Sequence, residues 1–297
     1  MINPFDFQPI SETIPARTNT TRRATTSTPT EATLDSAPAV VLVLSKEAMK
    51  ASETPKQTGV IRSEKLYVQF IVGHIRKNNP ASNTLDISHK TLNHYGTYLG
   101  HEGLNDNDVR DICEALRSNP HITTLYSNSK YLGDEGVRAI AGVKTLNDVS
   151  LHSHNISDEG VKALANSPTL GRVSLYSDSI SSKGMRALAA SNTLSYASVV
   201  GRRIEYSDII ALDNRTKENR RIKHGICQKI VSRQVLDEEQ LAFYSQNRRA
   251  VAFYMLRGSE FYPYTCTKIA PECFDGNAAM HLEKALESDK RSAAQMV

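Results

Sequence analysis

Residues 156–170 read ISDEGVKALANSPTL, and close copies of this stretch occur 24 residues before it and 24 residues after it. The earlier copy is LGDEGVRAIAGVKTL at 132–146, and the later copy is ISSKGMRALAASNTL at 180–194. A fixed period in this range is typical of a solenoid, because one supersecondary unit cannot bury its apolar face until its neighbours stack on it. The sequence therefore predicts a stacked repeat architecture.

The hydrophobic period changes once within each repeat. Val149 and Leu151 alternate with polar residues, which is the period of a strand. Val161, Leu164 and Ala165 instead fall on one face at helical spacing. Each unit is therefore predicted to consist of a strand, a turn and a short helix.

The helix starts and the small helix residues indicate how the units stack. Ser157 and Asp158 are placed to cap a helix, where N–H groups need acceptors. Alanines on the helices allow neighbouring helices to approach closely. Parallel strands lie about 4.8 Å apart whereas packed helices need about 8–10 Å, so the stack is predicted to bend with its strands on the inside.

The segments before the repeats differ from them in composition. Residues 1–36 are rich in Thr, Ser and Pro and poor in apolar residues, so they are predicted to be disordered. Ser63–Asn78 has an amphipathic pattern that stops before a proline, which predicts a capping helix. The predicted organisation is an N-terminal segment at 1–36, a capping region at 37–79, repeats at 80–212 with an insertion near 89–103, and a helical C-terminal region at 213–297.

Helical patterns without a repeat follow Ile204. This C-terminal region is interpreted either as a cap for the stack or as a small helical domain with its own role. A short basic run at Arg220, Arg221 and Lys223 is interpreted as a solvated helix face. Helices are predicted at about 221–234, 237–256 and 277–289, and the aromatic stretch 261–273 is predicted to be a packed loop.

A six-residue signature recurs at the helix of each repeat. It reads GVRAIA at 136–141, GVKALA at 160–165 and GMRALA at 184–189. The repeat resembles the leucine-rich repeat family in its ribonuclease-inhibitor-like subclass, and is similar to the translocated (type IV) bacterial effectors that carry Gly-Ala-Leu-Ala repeats. The resemblance implies an α/β leucine-rich-repeat solenoid, with a curved parallel β-sheet inside, helices outside, a helical N-terminal cap and a helical C-terminal region.

The repeat departs from that family at one position. The family usually holds Asn at the ninth position of the repeat. This chain has a varied residue at that position and a serine just before it. We interpret the serines as pointing inward to bond the backbone, with the following residues facing out. The serines are Ser129, Ser153 and Ser177, and the following residues are Lys130, His154 and Asp178, with Arg202 at the next equivalent position.

Strand alternation predicts which side chains face away from the core. Tyrosine and arginine recur among them, and these residue types are often interface anchors. The alternative is that a strand surface is simply polar. The predicted partner-binding residues are Tyr126, Asn128, Lys130, Asp148, His152, His154, Arg172, Tyr176, Asp178, Tyr196 and Arg202.

The function predicted from this surface is protein binding without catalysis. The strand side of such solenoids commonly serves as a binding surface. The resemblance to ribonuclease inhibitor implies inhibition of an enzyme by occlusion of its active site. The expected partner is a host enzyme or another bacterial effector, and no metal or cofactor is expected.

Two other functions stay open from the sequence. Cys273-Phe274-Asp275 resembles the Cys-x-Asp motif of ligase domains that accompany leucine-rich repeats in some pathogen effectors. A thiolate at Cys273 would attack a ubiquitin thioester with help from the carboxylate. The third function is an adaptor that recruits a host ligase through 213–297.

Composition bounds the partners and the compartment. The net charge of +4 is mild and no basic cluster is interleaved with aromatic residues, so neither nucleic acid nor a membrane is an expected partner. The start of the chain shows no signal-peptide pattern. Acidic residues followed by small ones near the C-terminus resemble type IV secretion signals. The expected location is the bacterial cytoplasm before translocation and the host cell cytoplasm afterwards.

Overall fold

The computed structural model describes residues 59–80, 82–88, 103–269 and 276–294. The predicted disordered segment 1–36, the capping region before residue 59 and nearly all of the insertion near 89–103 lie outside the described residues. Cys273, the thiol of the ligase hypothesis, lies outside them as well.

Five parallel strands form one sheet in chain order. From the second strand onward each residue pairs with the residue 24 positions later, as in Leu125, Val149 and Val173. Leu85 pairs with Leu125, so the repeat that precedes the insertion near 89–103 joins the same sheet. This confirms the predicted strands and their order. The strands are β1 (Thr84–Asp86), β2 (Thr124–Asn128), β3 (Asp148–His152), β4 (Arg172–Tyr176) and β5 (Tyr196–Val200).

A helix follows each of the strands, and consecutive helices pack against one another. The apolar side chains of the strands and helices share one core, in which residues such as Val149, Leu164 and Leu188 are fully buried. The alternation establishes an α/β repeat fold, while the predicted bending of the stack stays a prediction. The helices of this part are α1 (Gly59–Arg76), α2 (Asp106–Arg117), α3 (Asp134–Ala141), α4 (Asp158–Ala165) and α5 (Ser182–Ala189).

The first helix covers the N-terminal side of the repeats. Ile71 and Ile75 of α1 are buried in the same core as the strands. The Asn119 side chain donates a hydrogen bond of 2.8 Å to the Ile75 carbonyl and so fixes the end of α1 to the first repeat. These contacts are those expected of a capping helix, which shields the apolar end of a repeat stack from water.

Each helix start is held by the repeat before it. Ser157 caps α4 through the Glu159 N–H, as predicted. The Asp134 carboxylate of the preceding repeat accepts hydrogen bonds from the Ser157 backbone N–H at 2.8 Å, the Ser157 hydroxyl at 2.5 Å and the Gly160 N–H at 3.0 Å. Asp158 repeats these contacts on the next unit. The prediction that Asp158 caps its own helix is therefore corrected, because its carboxylate binds the start of α5.

The inward serines connect neighbouring repeats immediately after the strands end, just before the helix starts. The Ser153 hydroxyl donates to the Leu132 carbonyl at 2.6 Å, and Ser177 donates to Ile156 at 2.7 Å. The same hydroxyls accept from the backbone N–H two residues later. This confirms that the serines take the inward bonding role and that the residues after them face outward.

The last helix of the repeats continues without a break into the C-terminal region. Residue 212, the predicted end of the repeats, lies inside this helix of 26 residues. Leu212 packs in the repeat core, whereas Ile226 and Ile230 belong to a second core with the following helices. The predicted loop at 261–273 is partly wrong, because most of its described residues are helical. The helices are α6 (Tyr206–Val231), α7 (Glu238–Arg257), a 3-10 turn (Ser259–Phe261), α8 (Tyr262–Lys268) and α9 (Gly276–Ala294).

The C-terminal helices dock along the edge where the strands begin. Lys223 of α6 donates hydrogen bonds to the Thr193 carbonyl and the Ser195 hydroxyl. Asn219 donates to the Leu194 carbonyl at 2.9 Å. Lys223 is only 1% exposed, so the interpretation of this basic run as a solvated face is wrong at that residue. Within the described part of the chain, none of the helices combines the length and apolar character that crossing a membrane requires.

Candidate protein-binding surface

The outward side chains of β2 to β5, together with the residues two positions after each strand, form a surface that we call the strand face. Strand pairing places the predicted binding residues in columns across it, such as Asn128, His152 and Tyr176. Three tyrosines keep about two fifths of their surface in solvent: Tyr126 at 40%, Tyr176 at 38% and Tyr196 at 42%. The three tyrosines occupy three different rows of the paired strands, so they spread large contact area over the face.

Arginine and tyrosine meet at the start of the strands. The Arg172 Nε atom lies 3.2 Å from Asp148 Oδ2, and its guanidinium lies 4.8 Å from the ring centroid of Tyr196. Arg257, from the end of α7, reaches the same Asp148 oxygen at 3.2 Å. One carboxylate thus orients two guanidinium groups, and the C-terminal region supplies a residue to the strand face.

A second cluster lies where the strands end. Asp178 accepts from Arg202 Nε at 2.8 Å and lies 3.0 Å from His154 Nδ1. The His152 and Tyr176 rings are 4.2 Å apart between centroids. The two histidines therefore form part of an aromatic and ionic cluster.

The β2 residues stand apart from both clusters. Tyr126 makes no ring contact or ion pair with the residues that the structure describes. Asn128 is half-buried beside His152, and the Lys130 ammonium lies 4.8 Å from the Tyr131 ring centroid. The structure therefore places all the predicted residues on one face and joins residues of β3, β4 and β5 into contact networks.

The chemistry of the strand face suits recognition of a protein. Ion pairs hold Asp148, Arg172, Asp178 and Arg202, and the rings of Tyr176 and Tyr196 lie against neighbours, so few of these side chains need to be ordered when a partner binds. Nowhere in the described residues do three or more His, Cys, Asp or Glu side chains converge as metal ligands. The surface includes three exposed tyrosines and two arginines, residue types that are frequent at the energetic centre of interfaces.

Sequence reasoning missed the residues that the C-terminal region contributes. Arg257 lies 109 residues after Asp148, its partner. No local pattern connects the two positions, because their contact depends on how the helical region docks. A basic residue at a helix end is expected in any helix from the macrodipole alone.

Comparison with known proteins adds little to this picture. No protein-family model matches the chain, and no curated protein matches it. Among solved structures the chain is similar to one titled "Leiomodin-1 Actin-Binding Site 2 (ABS2)", with 15% sequence identity and a TM-score of 0.43. The likeness covers 55% of this chain and 96% of that one. A likeness of this extent carries no argument about the partner of this chain.

Proposed function

We propose that this protein is a non-catalytic binding protein whose strand face holds one globular protein partner. The observation that supports the proposal is that three exposed tyrosines lie on the same face of one parallel sheet, beside ion-paired arginines and the His154–Asp178 contact. A sheet fixed by backbone pairing loses little conformational freedom when it binds, so more of the contact energy is realised as affinity.

The finer proposal is that binding inhibits an enzyme by covering its active site. The partner is a host enzyme or another bacterial effector, and the protein acts in the host cell cytoplasm after translocation. The Gly-Val-Lys-Ala-Leu-Ala signature of 160–165 and its copies support this assignment, since such repeats resemble those of translocated effectors. A translocation reporter fused to the full chain tests delivery separately from binding.

The binding proposal is tested with a triple alanine variant of Tyr126, Arg172 and Tyr176. A partner is first captured by the full-length protein with chemical crosslinking, and the purified pair is then titrated calorimetrically. Each truncated anchor is expected to cost about 1–3 kcal/mol, so the triple variant should bind at least about a hundredfold more weakly.

The matched control replaces three exposed helix residues, Glu135, Arg138 and Lys162, with alanine. This variant changes the same number of side chains on the opposite side of the repeats and should keep full affinity. Unchanged binding by the strand-face variant, or an equal loss in the control, would exclude the strand face. An activity assay of the captured partner then shows whether binding inhibits it.

A further inference from the structure

A cleft of about 270 Å³ lies where α6 and the end of α7 meet the starts of β4 and β5. Four basic residues line it, together with a single acidic residue, Glu260. The basic residues are Arg172, Arg220, Lys223 and Arg257.

The contacts within the protein leave much of this positive charge uncompensated. Arg172 and Arg257 share the single carboxylate of Asp148. Glu260 lies 3.4 Å from His224, a further basic group. Arg220 makes no ion pair with any residue in the described ranges. The cleft therefore holds more guanidinium groups than its neighbouring carboxylates can pair.

Lys223 forms the buried end of this arrangement. An ammonium group has three N–H donors, and the described residues accept two of them, at the Thr193 carbonyl and the Ser195 hydroxyl. No carboxylate in the described part of the chain contacts its Nζ atom. Burial lowers the pKa of Lys223 to about 7, because a desolvated ammonium without a counter-ion is unfavourable.

The remaining walls of the cleft are less polar. The Tyr196 and Tyr254 side chains and Ala250 line it. A phosphate monoester carries close to two negative charges at neutral pH and three acceptor oxygens, which suit forked guanidinium donors. A carboxylate carries one charge and two oxygens, so it satisfies fewer of these donors.

We propose that this cleft binds a small organic phosphate monoester, with its phosphate between Arg220, Lys223 and the two arginines on Asp148 and its organic part against the tyrosine rings. This inference does not rest on protein binding at the strand face, although the cleft and the strand face share Arg172, Tyr196 and Arg257.

The site is tested by calorimetric titration of the full-length protein with phenyl phosphate, inorganic phosphate and benzoate at pH 7. Phenyl phosphate is expected to bind most tightly. Arg220→Gln should weaken it about tenfold, whereas Arg221→Gln should leave it unchanged, because Arg221 is exposed and pairs with Glu218 outside the cleft. Arg220 is also exposed, so its replacement leaves the fold intact.

Three results would overturn the proposal. The first is no heat with either phosphate, and the second is an equal effect of Arg220→Gln and Arg221→Gln, which would indicate diffuse charge attraction. The third is benzoate or inorganic phosphate binding as tightly as phenyl phosphate, which would exclude an ester of phosphate as the ligand.

A second readout uses the titration of Lys223. Of the two forms of Lys223, only the charged ammonium attracts phosphate. The affinity of the wild-type protein for phenyl phosphate should therefore fall about tenfold between pH 7 and pH 8.5, a range in which the ligand stays doubly charged. Lys223→Met should remove this dependence, and His224→Gln should keep it; the reverse pattern would exclude Lys223. The charged or titratable groups around Lys223 are Arg220, His224 and Cys227 on α6, Tyr254, Arg257 and Glu260 near the end of α7, and Arg172 and Tyr196 on the strands.

Discussion

The Asp134 carboxylate accepts a hydrogen bond from the Gly160 backbone N–H at 3.0 Å, across the boundary between two repeats. A Cβ atom at Gly160 would lie 2.5 Å from Asp134 Oδ1, closer than any non-bonded carbon and oxygen can stand. Asp158 and Gly184 have the same relationship one repeat later. The glycine that marks the repeat period is therefore required by the approach of a carboxylate to the helix.

This relationship makes an unusual prediction for Gly160→Ala. In an exposed helix interior, alanine is more stable than glycine by about 1 kcal/mol. Here the added methyl group should displace Asp134 and lower the free energy of unfolding by about 1–3 kcal/mol, measured by urea denaturation. Gly73→Ala in α1 is the control, because nothing lies within 4 Å of the place that its new methyl group would occupy, and it should stabilise the protein.

Removal of the carboxylate tests the same contact from the other side. Asp134→Ala should cost about 1–3 kcal/mol, since it leaves two N–H groups and a hydroxyl without their acceptor. The double variant with Gly160→Ala should lose less than the sum of the two single losses, because the clash disappears together with the carboxylate. Additive losses in a double-mutant cycle would show that the two residues are not coupled.

The inward serine gives a prediction for the second contact between neighbouring repeats. Ser153→Ala removes the buried hydroxyl that donates to the Leu132 carbonyl, and is expected to destabilise the protein by about 1–2 kcal/mol in urea denaturation. Ser150→Ala on the same strand changes an outward, half-buried hydroxyl and should shift stability by less than about 0.5 kcal/mol. Equal effects would contradict the inward bonding role.

The buried lysine makes stability depend on pH. The pKa of Lys223 is about 7 in the folded protein against an ordinary value of 10.5, so the unfolded chain binds more protons between these values. The free energy of unfolding should therefore rise with pH, by about 2 kcal/mol from pH 7 to pH 8.5. Lys223→Met should flatten this rise, while Lys229→Met should keep it, since Lys229 is paired with Asp237. Denaturation curves at several pH values measure the slope.

The ionic cluster at the strand ends gives a prediction in which affinity for the partner changes while the free energy of unfolding changes little. Asp178→Ala releases His154 and Arg202, and because such partly exposed pairs contribute little, stability should change by less than about 1 kcal/mol. Affinity for the captured partner should fall nevertheless, since two side chains of the strand face lose their fixed positions. Asp213→Ala breaks an ion pair on α6 and should affect neither property. Retained affinity in Asp178→Ala would place the partner elsewhere.

The repeated part of the fold can be predicted from sequence because every unit buries the same apolar positions. The 24-residue spacing aligns Val149 with Val173, and strand pairing follows that alignment. A side chain that must face inward in one unit must do so in all of them, so alternation identifies the strand face. Leucine-rich repeats, which this repeat resembles, usually hold an asparagine at this point. Its absence here is accounted for, since the Ser153 hydroxyl makes the hydrogen bond between repeats.

Sequence reasoning fails where contacts depend on docking of unlike elements. A lysine beside two arginines is normally exposed, yet the Lys223 ammonium hydrogen-bonds the edge of the repeats. The prolines around Phe261 favour a loop, but a proline at the first turn of a helix is well tolerated. The Asp148–Arg257 pair has no sequence signal at all.

The series of aspartates at the helix starts has a consequence for the evolution of chain length. Asp134 and Asp158 each accept hydrogen bonds from the unit that follows. Ser182 occupies the corresponding position on α5, and its hydroxyl accepts a hydrogen bond from the Glu205 N–H instead. Duplication or deletion of one whole 24-residue unit among the central repeats would preserve each of these inter-repeat hydrogen bonds. A change of length by whole units is thus compatible with the repeated part. The series of aspartates ends at Ser182, after which the chain continues into α6.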